Sequence, residues 1–425
     1  MNILVTNVYS YKNKGDAAIV ISLIREIYRV FGVKVDVAVQ TTDVQNDIGK
    51  YGVPVSSTLL WILLSSVRDR NILARFAVLC KGVIGLNIYL LCNKYLKSKP
   101  YFLLSTELKQ YVREIEAASL VIACGGGYLR TSGSGMRETL LLYITSLNFL
   151  TAKYLGKEVY LYSQSIGPVH SKLQNTLLKR ALDKVDLVEP REDVSLKLIR
   201  AYELKTKVEL TADPALLLGD TAKVPHDIVK LNHNRLNVGL TVRQWFKDPA
   251  DFEKYLNSMS TAIDYLISKY NAHITYVPQV IADNFGDDDR LTAMKVWKKV
   301  KYKKEFTVVK ADLHPYEVIG LCSKMDIFVG TRMHSNIFAL ISHVPVVGIE
   351  YEHKTRGIMR GLGLEELVID IKDVDEQTLK SKIDQVILRK DEFKELIKRN
   401  LPAQIADSQK AMELIGKMHD RAVGK

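Results

Sequence analysis

Cysteine is scarce in this chain. Cys80, Cys92, Cys124 and Cys322 are the only four among 425 residues, with no CxxC pair and no ligand-like spacing to histidine. So thin a set excludes a disulfide framework, and the thiols read as reduced and buried in a cytosolic protein. The sequence also lacks GxxxxGK[ST], GxGxxG, GxSxG and HExxH. Those absences remove the P-loop NTPases, simple dinucleotide binders, α/β-hydrolases and zincins. The opening residues MNILVT run straight into a strand-like segment with no basic n-region or cleavage site, so no signal peptide is expected.

What remains is the profile of a folded protein, with 47% hydrophobic and 25% charged residues. A length of 425 residues exceeds what one hydrophobic core covers, and two large domains are expected. The formal net charge of +12 points to an anionic partner: a phosphorylated substrate, an anionic lipid or a nucleic acid.

Short aliphatic runs alternate with helical periodicities. Ile3–Val8 is followed by a polar loop, YSYKNKGD, then by apolar positions Val20, Leu23, Ile24, Ile27 and Phe31. That spacing predicts a helix from about Ala17, with Asp16 as its N-cap. The same grammar recurs at Leu120–Cys124, which ends in Gly125, Gly126 and Gly127, and at Glu158–Ser163, which leads into Gln164–His170. A second series begins at Asn237–Val242 and includes strands near 326–329 and 345–349. Strands alternating with helices imply parallel sheets, and the expected fold class is α/β: two Rossmann-like doubly wound domains facing a cleft. The expected division is 1–218 as the N-terminal domain, a polar linker at 219–235, 236–400 as the C-terminal domain, and a C-terminal helix within 401–425 that packs back on the first domain.

Residues 59–104 do not fit this grammar. They are rich in Leu, Ile and Val, yet residues 61–104 hold seven Lys/Arg against Asp69 alone, half of the chain's surplus charge. The longest uncharged run there, Gly82–Asn93, is about half of the ~20 residues that a spanning helix needs, so a span is not expected. Two readings stand: a basic amphipathic segment at an anionic membrane surface, with Trp61, Phe76 and Tyr89 at headgroup level, or a buried helical pair with cationic rims.

The sharpest constellation is Val329-Gly330-Thr331-Arg332-Met333-His334-Ser335. A strand ends, glycine permits a turn, and Arg332, His334 and Ser335 open a helix whose N-terminus favours an anion. Arg332 offers a planar fork for phosphate or carboxylate, and His334 a proton donor or acceptor near neutral pH. The plainer reading is a capped helix with a surface arginine and a packed histidine. Glu350 and Lys354 follow the next strand, Asn13, Gly15 and Asp16 lie in the first loop, and Arg191 opens the loop after 187–189. A bare triple glycine also serves any tight turn. The acidic run Asp287-Asp288-Asp289 lacks calcium-loop spacing and reads as a solvated loop. The basic run 295–304 reads as an exposed helix face, not a nucleic-acid stripe, because aromatics for base stacking are few.

Taken in order, the segments NVYSYKNKGDAAI, ACGGGYL, YSQSIGPV, PREDVS, TADPALLL, VGLTVRQW, FVGTRMHSNIFAL and PVVGIEYEHK resemble the polysaccharide pyruvyl transferase family across most of the chain. The stretch 59–104 is an elaboration that the family pattern does not explain. The resemblance implies a GT-B-like fold, phosphoenolpyruvate as donor, and a glycan or lipid-linked oligosaccharide as acceptor, with the first domain on the acceptor side and the second on the donor side. No step of that chemistry demands a metal or redox cofactor, and no nucleic-acid partner is expected. It implies donor binding by Arg332 and His334, with Lys354 and Arg191 as further donor-site groups and Arg243 as a competing cation. His334 is the expected acid, Glu350 its reserve, and Asp16 a group that orients or deprotonates an acceptor hydroxyl. Asn13, Gly15, Ser335, Gln164 and Gly125 to Gly127 complete the substrate-binding set. A cytoplasmic protein meeting the inner face of the plasma membrane through 59–104 is the matching location. Two rivals remain: a glycosyltransferase using a nucleotide-sugar in the same fold, and a non-enzymatic basic scaffold or nucleic-acid-binding protein.

Overall fold

The computed structural model describes residues 1–65, 72–224, 234–282, 287–352 and 354–424, with the side chains of 72–76 excepted. The expectation for Phe76, and part of the linker, therefore lie outside the described side chains.

The chain forms two compact units. The first comprises Met1–Tyr11, Ile19–Asp213 and Gln409–Lys425, and the second Lys12–Ala18 and Pro214–Ser408. The first unit is built on a seven-stranded parallel sheet of β1 (Asn2–Val8), β2 (Asp36–Thr41), β3 (Val55–Ser57), β4 (Leu120–Cys124), β5 (Glu158–Gln164), β6 (Leu187–Pro190) and β7 (Lys207–Val208). Its order is β3-β2-β1-β4-β5-β6-β7. Every residue of β4, LVIAC, is buried, which is why it reads as an unbroken apolar run.

The second unit holds a six-stranded parallel sheet of β8 (Leu236–Thr241), β9 (Ala272–Tyr276), β12 (Phe306–Val308), β13 (Ile327–Gly330), β14 (Val346–Glu350) and β15 (Val368–Asp370). A separate antiparallel pair, β10 (Ile281–Ala282) and β11 (Asp287–Asp288), lies between β9 and β12 in sequence. The six-stranded order is β12-β9-β8-β13-β14-β15. The strand order reverses once in each sheet, between β1 and β4 in the first and between β8 and β13 in the second. At such a switch point the loops leaving two neighbouring strands diverge and open a crevice, so ligands collect there. The loop after β4 holds Gly125 to Gly127, and the loops after β8 and β13 hold Arg243 and Arg332.

Several local boundaries differ from the periodicity. The first helix runs Lys14–Phe31, so Asp16 sits in its first turn. Asn13 does the capping instead, its Oδ1 accepting from the N–H groups of Gly15 (3.2 Å) and Asp16 (3.4 Å). The break between units falls at Asp213, and Pro214–Thr221 is a 3-10 stretch that buries Leu216 and Leu218 in the second unit. An apolar Ala-Leu-Leu-Leu sequence has to be covered, whatever polar residues follow it. The last helix begins at Lys390, not near Pro402, and runs to Ala422 with Pro402 inside it. Phe393, Ile397 and Leu401 are buried before the proline and Ala411, Met412 and Ile415 after it, so packing on both sides carries the helix through it. Its end packs in the first unit, where His419 Nδ1 meets Glu158 Oε2 at 2.6 Å and Gly416 lies against Val30.

Within 59–104 the structure has a helix at Leu59–Ser65, a second at Ile72–Leu91 and a π-helical turn at Cys92–Leu96. The apolar stretch extends beyond its longest uncharged run. Ala77–Leu96 is a 20-residue stretch long and apolar enough to cross a membrane by length and composition, with Lys81 and Lys94 inside it.

Candidate functional site

The second unit gathers one set of candidates at its switch point. Residues 12–14 form a bridge to the strand leaving β9: Asn13 pairs with Val280, Lys14 N donates to Gln279 O (2.8 Å), and Ile281 N donates to Lys12 O (3.0 Å). Asp289 locks that strand, since its Oδ2 accepts from the N–H groups of Gln279 and Val280, both at 3.0 Å. Its other oxygen accepts from Arg332 Nε (3.1 Å) and Nη2 (2.6 Å). Asp287 Oδ1 accepts from Arg332 Nη2 as well (2.6 Å).

Arg332 is therefore not the surface arginine with an open fork that spacing alone allowed. It is buried, and the acidic run read as a solvated loop is its partner. The β10–β11 pair folds the run back onto the strand end, a long-range placement with no local signature. Burial opposes the arginine's charge, but Asp289 and Asp287 outweigh it and push its pKa up. Asp289 is 1% exposed, whereas the Asp287 side chain is 46% exposed, so one carboxylate is an internal anchor and the other faces solvent.

The strand end itself is strapped to the helix Met333–Ile341. Thr241 Oγ1 accepts from Thr331 N at 3.2 Å and meets Ser335 Oγ at 2.8 Å, and Ser335 Oγ also donates to Arg332 O at 2.6 Å. Ser335 is fully buried, and its hydroxyl is committed to these bonds. Tyr255 OH bonds Thr331 Oγ1 at 2.6 Å. Gly330 is required less for a turn than for space, because a Cβ there would lie 1.8 Å from Asn336 Oδ1.

His334 lies in the first turn of this helix, half-buried, with its ring against the backbone of Gly15. A Cβ on Gly15 would fall 2.1 Å from His334 Nδ1. The first loop and the R-x-H motif thus share one place, joined by a contact that only glycine permits. Asp16 adjoins it and accepts from Asn13 Nδ2 at 2.7 Å. Lys14, which sequence reading passed over, is fully buried, with Nζ 2.5 Å from Asp312 Oδ1.

Other candidates on this unit are engaged in different ways. Glu350 Oε1 accepts from Arg356 Nε (2.6 Å) and Nη2 (2.5 Å). Lys354 Nζ lies 3.2 Å from Glu352. Arg243 makes no ion pair or hydrogen bond among the described residues; its guanidinium stacks over Tyr351 at 4.4 Å and Trp245 at 5.5 Å.

The first unit gathers the rest. Arg191 is buried, and its Nε donates to Ser165 Oγ (2.8 Å), its Nη2 donates to Gly126 O (2.5 Å), and its Nη1 lies 2.8 Å from Asp213. It braces the glycine loop and does not present an open cation. A Cβ on Gly125 would meet Asn7 O at 2.8 Å and the Tyr128 ring at 2.9 Å, so Gly125 does reflect close backbone approach. Gln164 is fully buried, donating to Ala123 O and Tyr162 O. Two residues before Arg191, Glu189 is fully buried, and loss of solvation pushes its carboxyl well above the usual range.

The family model for polysaccharide pyruvyl transferase matches residues 13–353. A curated relative, the amylovoran biosynthesis protein AmsJ of Erwinia amylovora, is 27% identical over 303 residues, covering 69% of this chain and 71% of its own. Among solved structures, UDP-GlcNAc 2-epimerase of Neisseria meningitidis superposes with a TM-score of 0.57 at 10% identity, covering 98% of this chain and all of its own. Sucrose-phosphate synthase of Thermosynechococcus elongatus gives 0.59 at 10% identity, covering 100% and 99%. At such identities these structures bear on the fold alone, which is of GT-B type. With the family model spanning the ordered motifs from Asn13 to the loop after β14, this chain belongs to the polysaccharide pyruvyl transferase family and is a transferase of polysaccharide biosynthesis.

Proposed function

We propose that this transferase moves the pyruvyl group of phosphoenolpyruvate onto two hydroxyls of one sugar, in a cell-surface polysaccharide or its lipid-linked precursor, to form a pyruvate ketal. The observation that carries the reading is the second unit's switch point, where His334, the N-terminus of its helix and the anchored Arg332 adjoin Gly15 and Asp16. Phosphoenolpyruvate presents two anionic groups and an enol carbon that is a poor electrophile until its methylene is protonated. His334 donates that proton to carbon 3, making the methyl group. Carbon 2 becomes oxocarbenium-like and takes the first sugar hydroxyl, with Asp16 accepting its proton. The carbon–phosphate oxygen bond then breaks and inorganic phosphate leaves. The second hydroxyl closes the ketal, and one of the two hydroxyl protons restores His334 while the other leaves on phosphate. The reaction balances with donor and acceptor alone.

Anion binding falls to three groups. The helix N-terminus supplies N–H donors. Arg243, held flat on Tyr351 and free of carboxylates among the described residues, supplies a cation at the neighbouring strand end. Arg332 joins them when the donor's phosphate displaces solvent-facing Asp287, leaving Asp289 as the buried anchor. Lys354 and Glu350, one strand further along, are secondary members of the set.

The test is the full chain incubated with phosphoenolpyruvate and a glycan acceptor from cells lacking it. The expected product is heavier by one pyruvyl ketal, with phosphate released in equal amount. A gain of a whole sugar from a nucleotide-sugar, with no phosphate released from phosphoenolpyruvate, overturns the reading.

Gly15→Ala tests the shared site. The added methyl forces the imidazole aside, and a displacement of about 1 Å at a reacting group costs up to roughly 100-fold in rate. Single-turnover rates should fall about tenfold to 100-fold, and the thermal midpoint should fall as well, because the added methyl would also lie 2.7 Å from His334 Cβ. Unaltered turnover would separate the first loop from the chemistry.

A further inference from the structure

The stretch that the family pattern leaves unexplained has two faces. On one, Leu86, Tyr89 and Leu90 are buried in the first unit's core with Leu59, Ile62 and Leu63. Gly82 and Gly85 allow the close approach, for a Cβ would fall 2.5 Å from Leu63 Cδ2 and 2.8 Å from Leu103 O respectively. Tyr89 is fully buried, with its hydroxyl on Glu116, so it does not belong to the headgroup-level aromatics expected from sequence. The other face is the reverse. Ile84, Ile88, Leu91, Tyr95 and Leu96 are 57%, 41%, 55%, 68% and 71% exposed, at i, i+4, i+7, i+11 and i+12. That spacing lines up one apolar stripe along the helix and its π-helical turn. Phe102, 82% exposed, follows a few residues later.

The charge that the stretch itself carries has one sign. Lys81, Lys94 and Lys97 are exposed, and no acidic residue occurs between Asp69 and Glu107. Lys94 Nζ stands 4.9 Å from the Tyr95 ring centroid, an amphipathic pair suited to the headgroup level. From this we infer that the 84–96 stripe is a docking surface for an anionic lipid bilayer, with the helix lying flat in the interface. A span across the bilayer would strip Leu86, Tyr89 and Leu90 from the core they fill, so the length of the stretch does not make it a span. A second copy of this chain fits the stripe less well, since pairing two such faces brings their lysines together. The inference is independent of the donor and of the chemistry proposed above.

Co-sedimentation of the full chain with vesicles decides it. At low salt the protein pellets with phosphatidylglycerol–phosphatidylcholine vesicles and stays in the supernatant with phosphatidylcholine alone. Changing Lys81, Lys94 and Lys97 together to Gln weakens binding about tenfold or more, as does added salt. Ile88→Asp with Leu91→Asp abolishes it, while circular dichroism and the thermal midpoint stay as in the native protein because these positions are exposed. Equal recovery in the supernatant with and without anionic vesicles overturns the proposal. So does a dimer in sedimentation velocity that the Asp pair dissolves, which would make a second copy the occupant.

Discussion

Replacing His334 by Asn should leave phosphoenolpyruvate bound and nearly unreacted, with turnover lowered about 100-fold or more. Asparagine keeps a polar side chain of moderate size beside Gly15 and preserves the helix start, so the loss isolates proton transfer. General acid catalysis of this kind contributes about 10²–10⁴ in rate, and carbon 3 of the donor stays a methylene until some group protonates it. Two measurements separate the terms. Calorimetric affinity for phosphoenolpyruvate should change little, whereas the single-turnover rate should collapse. In deuterated water the native enzyme should place one deuterium in the product methyl group. Turnover like the native protein's in His334→Asn would remove the acid role and move it to Glu350, despite that residue's pairing with Arg356.

Arg332→Ala should have the other large effect, and in two quantities at once. Asp289 is 1% exposed and depends on the guanidinium for its charge balance. Removing one partner of a buried ion pair costs about 3–5 kcal/mol because the other charge stays buried and unpaired. Urea denaturation should show that loss. Restoring neutrality by also changing Asp289 to Asn should recover part of it, a coupling that a double-mutant cycle reads directly. Donor affinity should fall as well, by about 2–4 kcal/mol, the scale of deleting a charged hydrogen-bond donor from an anion that then stays unpaired. Asp287→Asn distinguishes the two effects. It removes a solvent-facing competitor for the guanidinium and leaves Asp289 in place, so donor affinity should hold or rise with little change in stability. A fall in affinity as large as that of Arg332→Ala would mean that Asp287 itself holds the substrate.

The fold class was readable because a parallel strand buried on both faces is a local signal. Leu120–Cys124 and Ile327–Gly330 announce themselves as short apolar runs, and the glycine or polar residues after each mark the loop at its carboxyl end. Loops in that position are where a doubly wound sheet binds ligands, so Gly125, Arg243 and Arg332 stand out in the sequence alone. The motif order carried the family for the same reason: each piece is contiguous, and sequence preserves contiguity.

Helix ends were less legible. Asn13 and Asp16 are both good caps, and only the backbone shows that Asn13 takes the role. The last helix passes through Pro402 because burial on both sides of it, Phe393, Ile397 and Leu401 before and Ala411, Met412 and Ile415 after, outweighs one missing hydrogen bond, a balance set by packing and not by propensity.

By itself, then, the sequence determined two parallel α/β sheets, the loops that leave their strands, and a family whose chemistry suits an arginine and a histidine at a helix start. Only the tertiary structure decided which groups answer one another: Asp289 and Asp287 on Arg332, Gly15 on His334, Asp213 and Gly126 on Arg191. It also decided that the helix near residue 90 buries one apolar face and exposes the other. The physical reason is the same in each case. Strands and helices are written in the spacing of neighbouring residues, whereas an ion pair or a packed face depends on residues far apart in the chain, and no local period records which of them meet.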